Sequence, residues 1–385
     1  MSACRTSSPI RRWTALLRQF HPDIELTLGQ MPQATAGPIC DAAIEALRQG
    51  KTHYPPAAGI DPLRQALAKW EQQRRGWPVA PEQIIVTNGA QEALALCCLG
   101  LLKSGEEVLV QDPCYPGYLS ALKTASALAV VCPQSADFQP DCEAMQRRIQ
   151  PHTRALILNV PANPTGQMIE PRRLFRIGQL AWRHDLFLIV DVVYEELSQR
   201  ESALAVLHPF RDRLILINSF SKPWAMTGWR VGWLCGDVSV TKRLVPVHQA
   251  LVSGVCSFAQ YGALAALRQD PKPLREQIAD NVQVMTSALT CCGLSCPEVQ
   301  GGFYLFPDIR RCMADDRQFA LQLVQKQGVA VLPGSLFGQR GAGHVRLSLC
   351  GQRAQVEQAA ERIVRFVTSA AEKPAAQTTP PADSR

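Results

Sequence analysis

The sequence predicts an α/β protein: a large domain on a mainly parallel sheet wrapped by helices, and a smaller α+β domain beside it. Three observations carry this expectation. Six short β-rich runs, at 83–87, 107–111, 127–132, 155–160, 186–191 and 214–218, alternate with helix-like stretches, as strand–helix–strand units do. Several of these runs are continuously apolar, the mark of strands covered on both faces. Beyond Arg275 one long helical stretch runs to Leu289, and short strands around 301–306 and 345–349 follow with helices between and after them.

Taken in order, the chain opens with Arg5, Arg11, Arg12 and Arg18, several serines, and no acid before Asp23. That composition is compatible with a transit peptide. Ile10, Trp13, Leu16, Leu17 and Phe20, however, recur at helical spacing and lead directly into Asp23-Ile24-Glu25-Leu26, which favours an amphipathic packing helix. Residues 1–41 are expected to belong with the smaller domain, 42–280 to form the large domain, 281–373 the rest of the smaller one, and 374–385 a disordered tail. The tail assignment rests on its Pro, Ala, Thr and Ser content and its lack of apolar pattern.

The chain of 385 residues is 46% apolar and 19% charged, which places it among globular proteins able to bury a sizeable core. Its net charge of +7 is dispersed, with no block of five basic residues, so nucleic acid is not an expected partner. No run of 18 apolar residues is present, so no membrane-spanning helix is expected. The 14 cysteines include adjacent pairs at 97–98 and 291–292 but no C-x-x-C, which suits reduced, buried thiols of a cytoplasmic protein rather than a metal site.

The chemistry is read first from Lys222. It follows the apolar run Leu214-Ile215-Leu216-Ile217, with hydroxyls at Ser219 and Ser221 before it and Arg230 eight residues after it. A lysine after a strand is ordinarily a surface group. Here the strand's carboxyl end places it where open α/β sheets bind ligands. So placed, it is equipped to hold an aldehyde cofactor as a Schiff base, and the cofactor expected is pyridoxal 5′-phosphate.

Such a cofactor needs further groups, and each has a candidate. Asp191 ends an apolar strand and can hold the pyridine nitrogen protonated, though a helix cap is its plain alternative. Tyr194, three residues on, can reach the phenolate oxygen. Asn163 sits in the stiff turn Pro161-Ala162-Asn163-Pro164-Thr165-Gly166, a motif that is otherwise ordinary turn chemistry. Gly89, Ala90 and Gln91 open a helix after a strand, where free amides and the helix dipole bind phosphate; Ser219 and Arg230 add donors to the same phosphate. Tyr115 can stack on the ring, or be a partly buried loop tyrosine. Arg346 lies in the apolar strand 345–349, where an arginine needs an anion: a substrate carboxylate, or a structural acid.

With these residues in this order the chain resembles the class I/II pyridoxal phosphate-dependent aminotransferases of fold type I, the aspartate aminotransferase superfamily. The resemblance runs from Gly29 to Phe366 through Tyr54-Pro55-Pro56-Ala57-Ala58-Gly59, Asn163-Pro164-Thr165-Gly166, the segment from Ser219 to Arg230, Pro333-Gly334-Ser335 and Arg346-Leu347-Ser348. It implies a seven-stranded sheet in the large domain and a homodimer with shared active sites, in which Tyr54 reaches the phosphate held by the neighbouring subunit. It also implies that Lys222 shuttles the proton at Cα, and that Asn163 and Arg346 grip the α-carboxylate while the backbone near Gly29 closes over it. The amino group of an L-amino acid would pass to a 2-oxo acid by a ping-pong mechanism. Two departures bear on substrate alone: Gly29-Gln30-Met31-Pro32 stands where many relatives have an acid after the glycine, and Trp224 replaces a frequent tyrosine. The segment 250–258 lacks the basic residue found in many dicarboxylate-specific members, which tilts the expectation toward neutral, apolar or aromatic amino acids.

Two other functions use much of the same constellation. A β- or γ-eliminating carbon–sulfur lyase or synthase needs the same Lys222, Asp191 and Arg346. A regulatory protein built on this fold carries a DNA-binding domain ahead of it, and about 28 residues before Gly29 are too few for one.

Overall fold

Strands that are apolar on both faces need cover on both faces, and the helices between them supply it. The computed structural model describes residues 8–371. The expected tail at 374–385 and the first seven residues, Arg5 among them, lie outside the described residues. The helices are α1 (Pro9–Arg18), α2 (Gly37–Arg48), α3 (Asp61–Arg75), α4 (Ala90–Leu101), α5 (Gly117–Thr124), α6 (Cys142–Arg148), α7 (Pro171–Arg183), α8 (Val238–Val252), α9 (Ser257–Ala266), α10 (Lys272–Cys291), α11 (Asp316–Gln327) and α12 (Arg353–Ala371). The strands are β1 (Ile24–Glu25), β2 (Ile84–Thr87), β3 (Glu107–Asp112), β4 (Leu128–Pro133), β5 (Thr153–Asn159), β6 (Phe187–Asp191), β7 (Leu214–Ser219), β8 (Gly232–Gly236), β9 (Tyr304–Leu305), β10 (Val329–Ala330), β11 (Leu332–Pro333) and β12 (Val345–Ser348).

β2 to β8 form one seven-stranded sheet in the order β2-β8-β7-β6-β5-β3-β4. The pairs β3–β4, β3–β5, β5–β6 and β6–β7 are parallel, while β8 runs antiparallel to both β2 and β7. The α/β architecture is therefore the one expected. Side-chain alternation divides each strand between two cores: Leu188, Val190, Leu214 and Leu216 pack in one layer, Phe187, Ile189, Ile215 and Ile217 in the other. β8 is absent from the sequence reading because Gly-Trp-Leu-Cys-Gly is short, glycine-bounded and shows no period; its pairing with β2 and β7 makes it a strand.

The carboxyl ends of β2, β3, β5, β6 and β7 meet at one edge of this sheet. Sheet growth reverses between β4 and β5, because β5 pairs with β3 on the side away from β4. Loops diverge at such a reversal and leave a crevice. Asn88, Tyr115, Asn163, Asp191 and Lys222 all follow or end these strands.

A separate core is built from Ile24, Leu26, Met285, Leu289, Leu305, Phe319, Leu323, Val345, Leu347, Val356 and Ile363. Its strands pair as β11-β12-β9 and β1-β10. α1 forms as expected and buries Ile10, Thr14 and Leu17, with Leu17 against Val324 and Ala330. Phe20 departs from the apolar stripe: it lies past the helix end and is exposed.

One buried ionic cluster braces the large sheet. The Arg75 guanidinium, 2% exposed, donates to Glu71 Oε2 at 2.9 Å and to both oxygens of Glu195 at 2.6 Å. Glu71 Oε1 in turn accepts the Trp233 indole N–H at 2.8 Å, and Arg74 pairs with the buried Glu196. α3 is thereby tied to the turn after β6 and to β8. Arg75→Ala strands two buried carboxylates without their cation, at an expected cost of about 3–5 kcal/mol. Denaturant unfolding of parent and variant measures this, and a loss below about 1 kcal/mol would show that the cluster carries no such constraint.

Candidate active site

Lys222 lies just past the end of β7, where Ser219, Phe220 and Ser221 turn the chain. Its Nζ donates to Gly29 O at 2.5 Å, and burial lowers its pKa to about 8 against the ordinary 10.5. An amine that sheds its proton near neutrality is a nucleophile and a base; an ordinary surface lysine is neither. Gly29 is required by close approach, since a Cβ there would sit 2.2 Å from Tyr304 Oη.

Asp191 closes β6 with its carboxylate turned into the crevice. Oδ2 accepts from Tyr118 Oη at 2.9 Å and Oδ1 from the Val193 N–H at 3.2 Å. Burial pushes its pKa up to about 6, opposed by those two bonds and by the Lys222 cation. Tyr194 is buried; its Oη accepts from Asn163 Nδ2 at 3.3 Å, and its ring meets Phe303 and Tyr304 edge-on. Asn163 is fixed by its own N–H, which donates to Asn159 Oδ1 at 2.7 Å.

The turn from β2 into α4 forms the other end of the crevice. Gly89 has φ 78°, a left-handed conformation, and a Cβ there would meet Arg230 Nη2 at 2.6 Å, so only glycine fits. Ala90 and Gln91 open α4, whose first N–H groups have no partner within the helix. Arg230 bends over this turn through Thr227 O at 2.8 Å and Asn88 O at 3.2 Å. Ser219 Oγ bonds Ser221 Oγ at 2.8 Å and Val231 O at 3.2 Å, holding the turn that precedes Lys222. Tyr115 reaches toward Gln91 Oε1 at 3.4 Å.

Arg346, in β12, is 2% exposed and makes no ion pair among the described residues. Nη1 donates to Asn163 Oδ1 at 3.0 Å and Nη2 to Thr27 O at 2.5 Å, while Nε has no partner. The guanidinium lies between the rings of Tyr304 and Phe337, 4.1 and 4.9 Å from their centres. Arg75, equally buried, is paired with two carboxylates; Arg346 is held by neutral groups, and its Nε has no partner among the described residues.

All the residues singled out in the sequence converge here except Tyr54, which is 91% exposed on the surface and next to Pro55, itself against Gly254. Sequence reasoning gave no role to Tyr118, Tyr304, Thr27, Phe337 or Asn159. Of these Tyr118 had a signal, standing three residues after Tyr115 at the start of a helix. Asn159 acts within its own turn, four residues before Asn163, while Thr27 contributes a backbone carbonyl and Tyr304 and Phe337 reach Arg346 from distant segments, which leaves no local pattern.

The groups present fit a pyridoxal phosphate: an amine of lowered pKa, a carboxylate without a cationic partner, a helix start beside an arginine, and a buried arginine with an unpaired N–H. Fold and site together define the class of pyridoxal phosphate-dependent transaminases. Residues 21–363 match the family aminotransferase class I and II, and the chain belongs to that family. It is 34% identical to the aspartate/prephenate aminotransferase of Thermus thermophilus, covering 91% of this chain and 93% of that one. It is 32% identical to aromatic-amino-acid aminotransferase 2 of Thermococcus litoralis, over 94% and 95% of the two chains. The crystallised aspartate aminotransferase of Thermus thermophilus with maleate superposes with a TM-score of 0.87 at 32% identity, covering 94% and 97%. No helix among the described residues is long and apolar enough to cross a membrane, and every cysteine among them is a free thiol.

The pKa of Lys222 is open to direct reading. In the cofactor-free protein, the rate of Lys222 acylation followed by peptide mass spectrometry is expected to rise with pH to a midpoint near 8. A midpoint near the ordinary 10.5 would show an amine in free contact with water.

Proposed function

We propose that this aminotransferase transfers the α-amino group of an L-amino acid to a 2-oxo acid with Lys222 as the amine that holds pyridoxal phosphate. One juxtaposition carries the reading. Lys222 Nζ and Arg346 Nη2 bind carbonyls two residues apart on the same segment, Gly29 O and Thr27 O. A basic amine and an anion-seeking guanidinium therefore face one small space, the arrangement an α-amino acid needs.

When bound, pyridoxal phosphate supplies an aldehyde and a ring that accepts the electrons released at the substrate Cα. The chain's own residues do the rest. Ala90 and Gln91 N–H groups, with Arg230 and Ser219, would hold the phosphate. Asp191 would keep the ring nitrogen protonated, Tyr194 and Asn163 would bond the phenolate oxygen, and Tyr115 would cover the ring face. Arg346 and Asn163 would fix the α-carboxylate, beneath the backbone at Gly29. Lys222 Nζ, free base above about pH 8, would take the proton from Cα. Donor and acceptor carry the same carboxylate and use the same Arg346, so one must leave before the other enters, and the reaction is ping-pong.

Tyr54 has no place in its own chain's site. It supports a homodimer in which each Tyr54 reaches the phosphate of the neighbouring subunit. Ile44 and Leu47 on α2 and Leu251 at the end of α8 are exposed apolar side chains available to that contact. The division into a cofactor-binding domain of residues 42–280 and a smaller domain of 1–41 and 281–373 is supported by the separate cores. For the donor we retain neutral, apolar or aromatic amino acids: the segment 250–258 has no Lys or Arg, and Tyr304 and Phe337 surround the carboxylate-binding group. Relatives named for aspartate and for aromatic amino acids are about equally similar, so their names do not choose between these.

The test is the visible spectrum of the reconstituted protein during titration with single amino acids. Loss of the band on adding a donor, and its return on adding a 2-oxo acid, is the expected result; Arg346→Ala should need at least about 100-fold more of either substrate while retaining the cofactor. A band that persists while ammonia is released would mean elimination, and contradict the proposal.

A further inference from the structure

Asp191 must stay ionised in a setting that opposes it. A carboxylate at a sheet edge among Tyr115, Tyr118 and Tyr194 loses hydration, and burial favours its neutral acid. The neutral acid could not pair with a ring cation. The usual remedy, an arginine or lysine in contact, would spend the negative charge before any ligand arrived, and no ion pair to Asp191 exists among the described residues.

The remedy in this chain is a phenol. Tyr118 is 2% exposed, with its Oη 2.9 Å from Asp191 Oδ2, and it is the one side-chain donor to that carboxylate among the described residues. A neutral donor favours the anion and aims it, yet leaves its charge available. The same ring stands edge-on to Tyr115, centroids 5.5 Å apart at 88°. Tyr118 lies in the first turn of α5 and Tyr115 two residues ahead of that helix, the two joined by the Tyr118 N–H, which donates to Tyr115 O at 3.1 Å. The turn that leads into α5 thus sets the aromatic group beside the crevice and the carboxylate at its end.

We propose that Tyr118 is a positioning residue for the reaction: it orients the Asp191 carboxylate and keeps it ionised, and with it holds the ring of Tyr115 in place. The proposal rests on the reading that Asp191 faces the ring nitrogen of pyridoxal phosphate. The groups that face Asp191 are Tyr118 and Tyr115 from the start of α5, the Val193 N–H and Tyr194 from the turn after β6, and Lys222 from beyond β7. Among the described residues only Tyr118 places a side-chain hydrogen bond on it.

The experiment is the affinity for pyridoxal phosphate as a function of pH in the full chain, for the parent, Tyr118→Phe, Asp191→Ala and the double variant. Affinity gained from the Asp191 anion is lost as pH falls through the Asp191 pKa. Losing the phenol raises that pKa, so in Tyr118→Phe this loss should begin about one pH unit higher, with binding near neutrality weakened about 10-fold. KM for the amino acid should change far less, because Arg346 is untouched. In the Asp191→Ala background, Tyr118→Phe should add nothing to the pH dependence, which a merely structural tyrosine would not obey. A Tyr118→Phe profile that overlays the parent's, with Asp191→Ala clearly weakened, overturns the inference and leaves the site assignment standing. Parent-like binding by Asp191→Ala would overturn the site assignment itself, and this inference with it.

Discussion

A buried amine and a buried guanidinium share one crevice, and among the described residues neither has an acid in contact. Lys222 and Arg346 are both removed from water and both rest on carbonyls of the segment 27–29, with Asn163 the only side chain among the described residues bonded to Arg346. Bringing two such cations together is unfavourable unless one gives up its proton and the other awaits an anion. Burial moves Lys222 toward the first, with its pKa lowered to about 8, and the unpartnered Nε of Arg346 is what the proposed anion site requires. Substrate chemistry follows from that pair: a group that reacts with a free amine, next to a group that binds carboxylate.

The rest of the fold keeps this unfavourable arrangement in place. The turn after β6 that carries Tyr194 is tied through Glu195 to Arg75, and Arg75 through Glu71 to Trp233 of β8. Trp233 packs on Phe220, two residues before Lys222. One buried ionic cluster thus connects the turn that carries Tyr194 with the turn that carries Lys222. The two buried arginines differ in their partners: Arg75 is paired with two carboxylates, as a structural group is, and Arg346 has neutral partners only, as the proposed carboxylate-binding role requires. Burial alone would not have separated them; their partners do.

Much of this was legible in the sequence because it depends on local order. Apolar runs ending in Asp191, or followed by Lys222, announce strands with a polar group at the carboxyl edge, and Gly89 between a strand and a helix announces a junction with free amides. β8 escaped because two glycines frame it and only its neighbours make it a strand. Tyr118 drew no role from the sequence, since its partner Asp191 is 73 residues away. Phe20 followed the helical period past the point where the helix ends. Thr27 contributes a carbonyl, which no side-chain pattern reveals, and the Arg75 cluster joins α3 to the turn after β6 across 120 residues.

The central claim is that Lys222 is the residue that carries the cofactor. Borohydride reduction of the reconstituted protein fixes the cofactor covalently to whichever lysine holds it, and peptide mass spectrometry then reads the position. The expected product carries the phosphopyridoxyl group on the peptide containing Lys222, in stoichiometric amount, and none in Lys222→Ala. Label on another lysine, or scattered over several surface lysines, would contradict it.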